Sequence, residues 1–342
     1  MIKAWIFEQM NLSVDESPLL FDAAACTREY AWRLELSVLA ESLGFRGVFF
    51  SEHHFSGIRL CPAPNLFVAA VASRTKRLRL GVLGIVLPLC QPWRAAEEIG
   101  TLDQISGGRL EIGLAKGSNT QEAISIGIAA ADIESRYQEA ADILDLALRE
   151  PILSYHGRHW SFEGLAILPR TIQRPPPRWA AVRSIESAVA AARRGYRPCT
   201  GFLPLEQVKE LFDAYREVCV VQGKRIGPDH FGLRRCVFVS RSAARAQAQV
   251  MAAHQALPGL RAPDIIAGTP QFVAEEIIRQ LGFAGCANII AVFSGSWQDR
   301  AALQESYELF GREVIPILER VTLPGQTQQK NLAIDFYEGI PT

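Results

Sequence analysis

The residues best suited to proton chemistry follow a short apolar run near the start of the chain. Residues 48–50 (Val-Phe-Phe) predict a buried strand, and Glu52, His53 and His54 come directly after it. Histidine titrates near neutral pH, so this cluster suits general acid–base catalysis. Because adjacent side chains of an extended segment point in opposite directions, we expect one histidine to work in the site, oriented by Glu52, and the other to pack behind it.

Two other interpretations of this cluster stay open. The histidines can be structural residues at the rim of a sheet, or they can bind a metal ion together with the carboxylate. Neighbouring residues of a strand rarely bind the same ion, and no third ligand has a convincing spacing, so we predict no metal site. His156 and His159 form a separate H-x-x-H pattern in a predicted hairpin, where solvent-exposed histidines are common.

Two loops carry residues that suit an anion. Lys116 precedes Gly117 in one loop, while Arg183 and Ser184 open a predicted helix with Ser187 one turn further on. Free N–H groups and the helix dipole favour a phosphate at such a helix start. These residues can therefore hold one phosphate group between them. Ordinary helix capping beside a solvated arginine is the alternative.

Three common nucleotide-binding and hydrolase motifs are missing from the sequence. It contains no G-x-G-x-x-G, no G-x-x-x-x-G-K-[ST] and no G-x-S-x-G. Rossmann dinucleotide binding, P-loop chemistry and α/β-hydrolase chemistry therefore each lack their sequence fingerprint.

Apolar runs of strand length alternate with segments of helical periodicity along most of the chain. This alternation predicts parallel βα units, and eight units in this length predict an α/β fold, a single-domain (β/α)8 TIM barrel. The barrel is expected over residues 1–321, with a hairpin insertion after the fourth helix and a C-terminal tail at residues 322–342. Active sites of such barrels lie at the C-terminal ends of the strands, where the residues above fall. The predicted strands cover residues 5–7, 48–50, 78–86, 109–114, 179–182, 198–202, 231–239 and 288–293.

The composition argues against several classes of protein. The 36 Lys and Arg residues balance the 36 Asp and Glu residues, and no basic run suggests nucleic-acid binding. No apolar stretch reaches the roughly 18 residues of a membrane span, and the first residues lack a signal-peptide pattern. The seven cysteines include no C-x-x-C pair. We therefore predict reduced thiols and a cytoplasmic protein without nucleic-acid or membrane partners.

Several of these segments are similar to one known family. Residues 50–55 (Phe-Ser-Glu-His-His-Phe), residues 81–88 and the L-D-Q-x-S-x-G-R pattern of residues 102–109 resemble the bacterial luciferase family of flavin-dependent monooxygenases. The resemblance covers about residues 1–318 and is strongest from 47 to 149. It implies a (β/α)8 barrel, in agreement with the independent count of strands.

The resemblance also implies a cofactor and a reaction. Members of the family bind reduced FMN (FMNH2), usually supplied by a separate flavin reductase, and react it with O2. The flavin C4a-peroxide then oxidises an aldehyde, ketone, alkane, sulfonate or amine, so the implied substrate is a small or carrier-bound organic molecule. The family forms dimers through the second and third helices, so a homodimer is implied.

The resemblance gives the residues near the flavin ring specific roles. His53 corresponds to the catalytic base of the luciferases, with Glu52 and His54 beside it. A non-proline cis peptide bond beside the ring corresponds to Leu83–Gly84.

The resemblance implies a phosphate site as well. The family's phosphate-binding basic residue corresponds to Lys116, followed by Gly117. Its serine-rich helix start corresponds to Ser184, with Arg183 and Ser187 beside it.

The sequence departs from the luciferases at several points. Ala115 and Lys116 stand where luciferases have a reactive cysteine and an arginine, and Arg183 replaces an acidic residue. The lid expected after the seventh strand is short, at about residues 256–266. Light emission is therefore not expected. Two alternatives stay open: a hydride-transfer enzyme using deazaflavin (or flavin) on the same fold, and a non-catalytic flavin-binding subunit.

Overall fold

The computed structural model describes residues 1–11, 21–55, 59–256, 259–293 and 300–325. Its strands are β1 (Lys3–Glu8), β2 (Gly47–Phe50), β3 (Arg79–Val86), β4 (Leu110–Ala115), β5 (Ile152–His156), β6 (Ser161–Ala166), β7 (Arg178–Val182), β8 (Arg197–Thr200), β9 (Gly232–Val239), β10 (Ile265–Gly268) and β11 (Asn288–Val292). Eight of them form a parallel ring in the order β9-β11-β1-β2-β3-β4-β7-β8, which closes where β8 pairs with β9. The predicted (β/α)8 barrel is therefore confirmed.

Helices follow the barrel strands and cover their outer faces. Helix α3 (Pro92–Ser106) shows why the sequence places helices there. Pro92 lacks only an N–H that the first turn does not need, and the left-handed Gly107 closes the last turn. The helices are α1 (Ala23–Ser42), α2 (Pro64–Arg74), α3 (Pro92–Ser106), α4 (Thr120–Ser125), α5 (Ile133–Arg149), α6 (Ile185–Arg194), α7 (Leu205–Val221), α8 (Ala243–Ala256), α9 (Pro270–Ala284), α10 (Arg300–Leu309) and α11 (Ile315–Glu319), with a π-helical turn (Phe310–Val314) between the last two.

Two features lie outside the ring of eight strands. The hairpin predicted after the fourth helix is confirmed, because β5 pairs antiparallel with β6. Strand β10 was not predicted: it pairs parallel with the second half of β9, in part of the segment assigned to a short lid. Residues 257–258 of that segment and residues 326–342 of the predicted tail lie outside the described residues.

Aromatic side chains fill the interior of the barrel. The rings of Trp5 and Phe49 stack with centroids 5.2 Å apart, and Trp179 packs edge-on at 6.0 Å from Trp5. All three side chains are buried. Because the middle of the barrel is packed in this way, a ligand can approach the strands from one end or the other but not pass through.

The L-D-Q-x-S-x-G-R pattern proves to be structural. Asp103 is fully buried and accepts hydrogen bonds from the backbone and side chain of Gln173, at 2.9 and 2.7 Å. Arg109 donates to the carbonyl oxygens of Ala72 and Leu78, at 2.9 and 2.8 Å. The pattern therefore ties α3 to the proline-rich stretch and β4 to the end of α2, away from the catalytic ends of the strands.

Gly100 brings α3 into contact with the backbone of Pro169. A Cβ atom at Gly100 would lie 1.9 Å from the Pro169 carbonyl oxygen, closer than such atoms approach. We expect Gly100→Ala to lower the free energy of unfolding by about 1–3 kcal/mol, because the helix must shift away.

A matched substitution in α9 controls for helix propensity. A Cβ at Gly282 would lie no closer than 3.9 Å to its nearest neighbour, Leu323. Gly282→Ala should therefore stabilise the protein by about 0.5–1 kcal/mol. Urea unfolding of both variants checks the pair, and equal effects would contradict the contact at Gly100.

Candidate active site

The end of β2 carries two histidines that bind different carboxylates. His53 Nδ1 lies 3.3 Å from Oε1 of Glu122, and His54 Nε2 lies 3.2 Å from Oε1 of Glu52. The expectation that Glu52 orients the working histidine is therefore wrong for His53. Adjacent side chains point apart here, as expected, but it is the carboxylate from α4 that reaches His53.

Glu122 was missed by sequence reasoning. It is 4% exposed and lies on α4, which begins after the N-cap residue Asn119. The spacing Asn119-x-x-Glu122 is a helix-start pattern, and it predicts a glutamate that caps its own helix. The side chain instead contacts His53, 69 positions earlier in the chain. That pattern is a signal for α4, which was not predicted, but it carries no information about the partner.

The surroundings of His53 favour its neutral form. Burial lowers the pKa of His53 below its ordinary value of 6.5, and the Arg59 charge lowers it further, while Glu122 acts in the opposite direction. A carboxylate only accepts hydrogen bonds, so contact with Glu122 places the proton of a neutral imidazole on Nδ1. Nε2 then carries a lone pair and can accept a proton.

His54 has the opposite electrostatic environment. Its hydrogen bond to Glu52 raises the pKa of His54 above 6.5, against the effect of burial. Glu52 also accepts a hydrogen bond from the backbone N–H of Val86 at 3.3 Å, which joins the end of β2 to the end of β3. Glu52 and His54 thus form a link between strand ends next to the His53 pair.

The end of β3 has the predicted backbone geometry. The Leu83–Gly84 peptide bond is cis, which confirms that prediction. The pairing of β3 with β4 shifts register between Val82 and Ile85, around this bond. A Cβ at Gly84 would lie 2.7 Å from the backbone carbonyl carbon of Leu114, so only glycine allows the two strands to approach here.

A cavity of about 380 Å³ brings the predicted phosphate residues together. Lys116, Ser184 and Ser187 line it, and Lys116 Nζ is 2.7 Å from Oε2 of Glu134. Gly117 lines a neighbouring cavity of about 230 Å³ that also contains Lys116. The structure therefore places the loop after β4 beside the start of α6, as predicted.

The start of α6 is capped by its own serines. Ser184 Oγ accepts from the Ser187 N–H at 3.3 Å, and Ser187 Oγ accepts from the N–H groups of Ser184 and Arg183, at 3.0 and 3.1 Å. Arg183 is not among the side chains that line the cavity. Its charge instead lowers the pKa of Arg234, a residue of β9. Arg183 therefore lies near Arg234 and does not line the predicted phosphate cavity.

The cysteines and remaining histidines near the site serve as packing or surface residues. All seven cysteines are free, and burial raises the pKa of both Cys61 and Cys90 to about 12, so neither forms a ready nucleophile. His156 pairs with a carboxylate and His159 with Ser135. The described residues contain no group of three His, Cys, Asp or Glu side chains that could hold a metal ion.

Several known proteins are similar to this chain in sequence. A model of the luciferase-like monooxygenase family matches residues 21–289. The chain is 40% identical over 237 residues to the uncharacterized protein y4wF of Sinorhizobium fredii, covering 68% of this chain and 69% of that protein. It is 30% identical over 195 residues to the oxygenase component of the flavin-dependent trigonelline monooxygenase of Acinetobacter baylyi. That match covers 56% of this chain and 54% of the relative, so the chain spans about half of it.

Two solved structures cover almost the whole chain. Monooxygenase RslO1 from Streptomyces bottropensis superposes with a TM-score of 0.82 at 25% identity, over 92% of this chain and 99% of that one. The oxygenating constituent of 3,6-diketocamphane monooxygenase from Pseudomonas putida, in complex with FMN, gives 0.80 at 20% identity, over 94% and 99%. Taken with the match over residues 21–289, these findings show that the chain belongs to the luciferase-like monooxygenase family.

Proposed function

We propose that this protein is the oxygenase component of a two-component flavin-dependent monooxygenase. It takes FMNH2 from a separate reductase and uses O2 to oxidise a small or carrier-bound organic substrate, such as an aldehyde, ketone, alkyl compound or amine. One observation carries the proposal: the His53–Glu122 pair and the cavity of Lys116, Ser184 and Ser187 lie at the same end of the barrel.

The residues around the cavity fit the phosphate of FMN. An ammonium group and the N-terminus of α6 meet in one space, and both favour a dianion. The Lys116–Glu134 ion pair is half-exposed, so its ammonium can turn to a phosphate at little cost. The flavin ring would lie beside Leu83–Gly84. When bound, the reduced flavin supplies the electrons that activate O2.

The chain itself supplies a base and its support. His53 accepts a proton at Nε2, while Glu122 holds the Nδ1–H and stabilises the imidazolium that forms. Glu52 and His54 hold the strand ends on which this pair depends. A reductase partner is supported by the relative named as an oxygenase component.

Assembly and location remain predictions. Leu66 on α2 is 74% exposed, which suits the predicted homodimer through α2 and α3. No helix among the described residues is long and apolar enough to cross a membrane. The predicted cytoplasmic location needs its own measurement.

The function is tested with reduced cofactors under controlled oxygen. Deoxygenated protein is mixed with photoreduced FMN, oxygen is added, and flavin absorbance and oxygen concentration are followed together. We expect FMNH2 to bind and its return to oxidised FMN to be slower than in free solution. Tight binding of reduced deazaflavin without oxygen uptake would favour hydride transfer. Flavin binding without any effect on the oxygen reaction would favour a non-catalytic subunit.

The phosphate site gives a separate prediction. Lys116→Met should raise the Kd of FMN roughly tenfold, because a charge-assisted hydrogen bond is lost, and should leave the Kd of riboflavin unchanged. Flavin fluorescence titration measures both. Lys209→Met removes a lysine from a similarly exposed ion pair with Asp213 and serves as the control. An equal rise in the Kd of FMN and of riboflavin would show that the phosphate group binds elsewhere.

A further inference from the structure

Strand β9 carries two successive arginines whose side chains lie on opposite faces of the barrel wall. Arg235 is fully buried on the outer face, where its Nε donates to Gln280 at 2.8 Å and its Nη1 lies 3.7 Å from Asp264. Arg234 points the other way, because adjacent residues of a strand alternate. It pairs in register with Ile290 of β11, one of the apolar side chains that fill the barrel.

The guanidinium of Arg234 lies at the catalytic end of the barrel. Its Cζ is 4.6 Å from the ring centroid of Phe7 and 5.2 Å from that of Phe202. A Cβ at Gly201 would lie 3.1 Å from Nη2. Phe7 is near the end of β1, and Gly201 and Phe202 follow β8, so the group lies among strand ends, between two aromatic rings.

Arg234 has one unsatisfied donor in the part of the chain that the structure describes. Its Nε is buried and has no hydrogen-bond partner among the described residues, while the side chain as a whole is only partly buried. Arginine stays charged, and a buried donor without a hydrogen-bond partner is costly. Buried donors are normally hydrogen-bonded, so an unsatisfied donor at the open mouth suits an acceptor atom of a ligand.

The charges around Arg234 are also positive. Burial lowers the pKa of Arg234, and the nearby Arg183 lowers it further, while Arg234 in turn lowers the pKa of Arg59. Arg59 is the residue whose charge acts on His53. The nearby carboxylate Glu122 is already in contact with His53. The mouth of the barrel therefore combines an excess of positive charge with aromatic walls.

We propose that Arg234 binds the anionic group of the organic substrate, a carboxylate or a sulfonate, at the mouth of the barrel. This inference rests on the proposed function and gives it a substrate class: an organic acid whose apolar part lies against Phe7 and Phe202. A planar guanidinium forms two parallel hydrogen bonds with such groups. The anionic ring of reduced flavin is the other source of negative charge, and the experiment separates the two.

The test compares acids with their uncharged amides. Acetate and acetamide, hexanoate and hexanamide, and benzoate and benzamide are titrated by calorimetry into the full-length protein, with and without oxidised FMN. In each pair the shapes match, while the amide lacks the charge and has a donor NH2 in place of one acceptor oxygen. We expect the acid of at least one pair to bind roughly 10- to 100-fold more tightly than its amide.

Three variants locate the effect. Arg234→Gln should abolish the preference for the acid, and Arg234→Lys should restore part of it, since charge returns without the planar donors. Arg197→Gln removes an arginine from the barrel's other end and should keep the preference. Circular dichroism confirms that each variant is folded.

Each outcome decides the proposal. Equal binding of acids and amides by the wild type overturns it, as does a preference that survives in Arg234→Gln. A tenfold loss of reduced-FMN affinity in Arg234→Gln, with the acid preference intact, assigns the arginine to the flavin instead. Because the titrations also run without FMN, failure of the monooxygenase proposal is seen separately, in the oxygen measurements.

Discussion

Replacing His53 by glutamine is expected to lower the rate of substrate oxidation by about 10²- to 10⁴-fold, the usual contribution of a positioned general base. Glutamine keeps a polar side chain of similar size but cannot take up a proton. Burial favours the neutral form of His53, and the contact with Glu122 selects the tautomer whose Nε2 can accept a proton. Steady-state oxygen consumption with any substrate that the wild type oxidises measures the effect.

His54 provides the matched control for this substitution. It is the adjacent residue and has a similar contact with a carboxylate, but its pKa is raised rather than lowered. His54→Gln should therefore cost less activity than His53→Gln. If the order is reversed, His54 is the base and our assignment is wrong.

The pH dependence tests the same pair from another direction. A base works only when deprotonated, so activity should fall as the pH drops through the pKa of His53, which lies below 6.5 because of burial and Arg59. Glu122 raises that pKa, so Glu122→Gln should move the acidic limb to still lower pH. Glu52→Gln should leave the limb in place. If Glu122→Gln does not move the acidic limb of the pH–activity profile, a group other than His53 titrates there.

Arg33→Met is expected to lower the free energy of unfolding by about 3–5 kcal/mol. Arg33 is 5% exposed, and it donates to Glu8 at 2.9 Å and to Glu29 at 2.7 Å. Glu8 ends β1, and Glu29 is also bound by Arg300 of α10, so the network joins the first strand to the first and tenth helices. Methionine fills similar space but leaves two buried carboxylates without this cation.

An exposed pair with the same spacing serves as the control. Arg94 Nε donates to Glu98 at 3.0 Å, four residues away, and its side chain is 69% exposed. Arg94→Met should change stability by no more than about 0.5 kcal/mol, since water screens such pairs. Chemical unfolding of both variants measures the two changes in stability and so compares a buried ion pair with an exposed one. A small effect at Arg33 would show that water or the carboxylates' other partners compensate.

Local pattern was enough to determine the barrel and the strand that opens the site. Apolar runs and helical periodicity depend on near neighbours in the chain, so all eight strands of the ring were predicted to within a few residues. Short motifs likewise led to the family, to the cis bond at Leu83–Gly84 and to the loop of Lys116. β10 was missed because its four residues, between a short apolar segment and α9, are too few to form a pattern.

Tertiary structure decided which side chains meet. His53 contacts Glu122 rather than Glu52, and Arg183 lies near Arg234 rather than in the phosphate cavity. Arg234 reaches the barrel mouth from a strand with no motif of its own. These contacts join positions up to hundreds of residues apart, and they depend on strand parity and on which helix covers which strand end. The sequence alone thus determined that a histidine stands at the rim of a barrel. Tertiary packing determined that Glu122 contacts this histidine and that Arg234 lies at the barrel mouth, because only packing brings such distant side chains into contact.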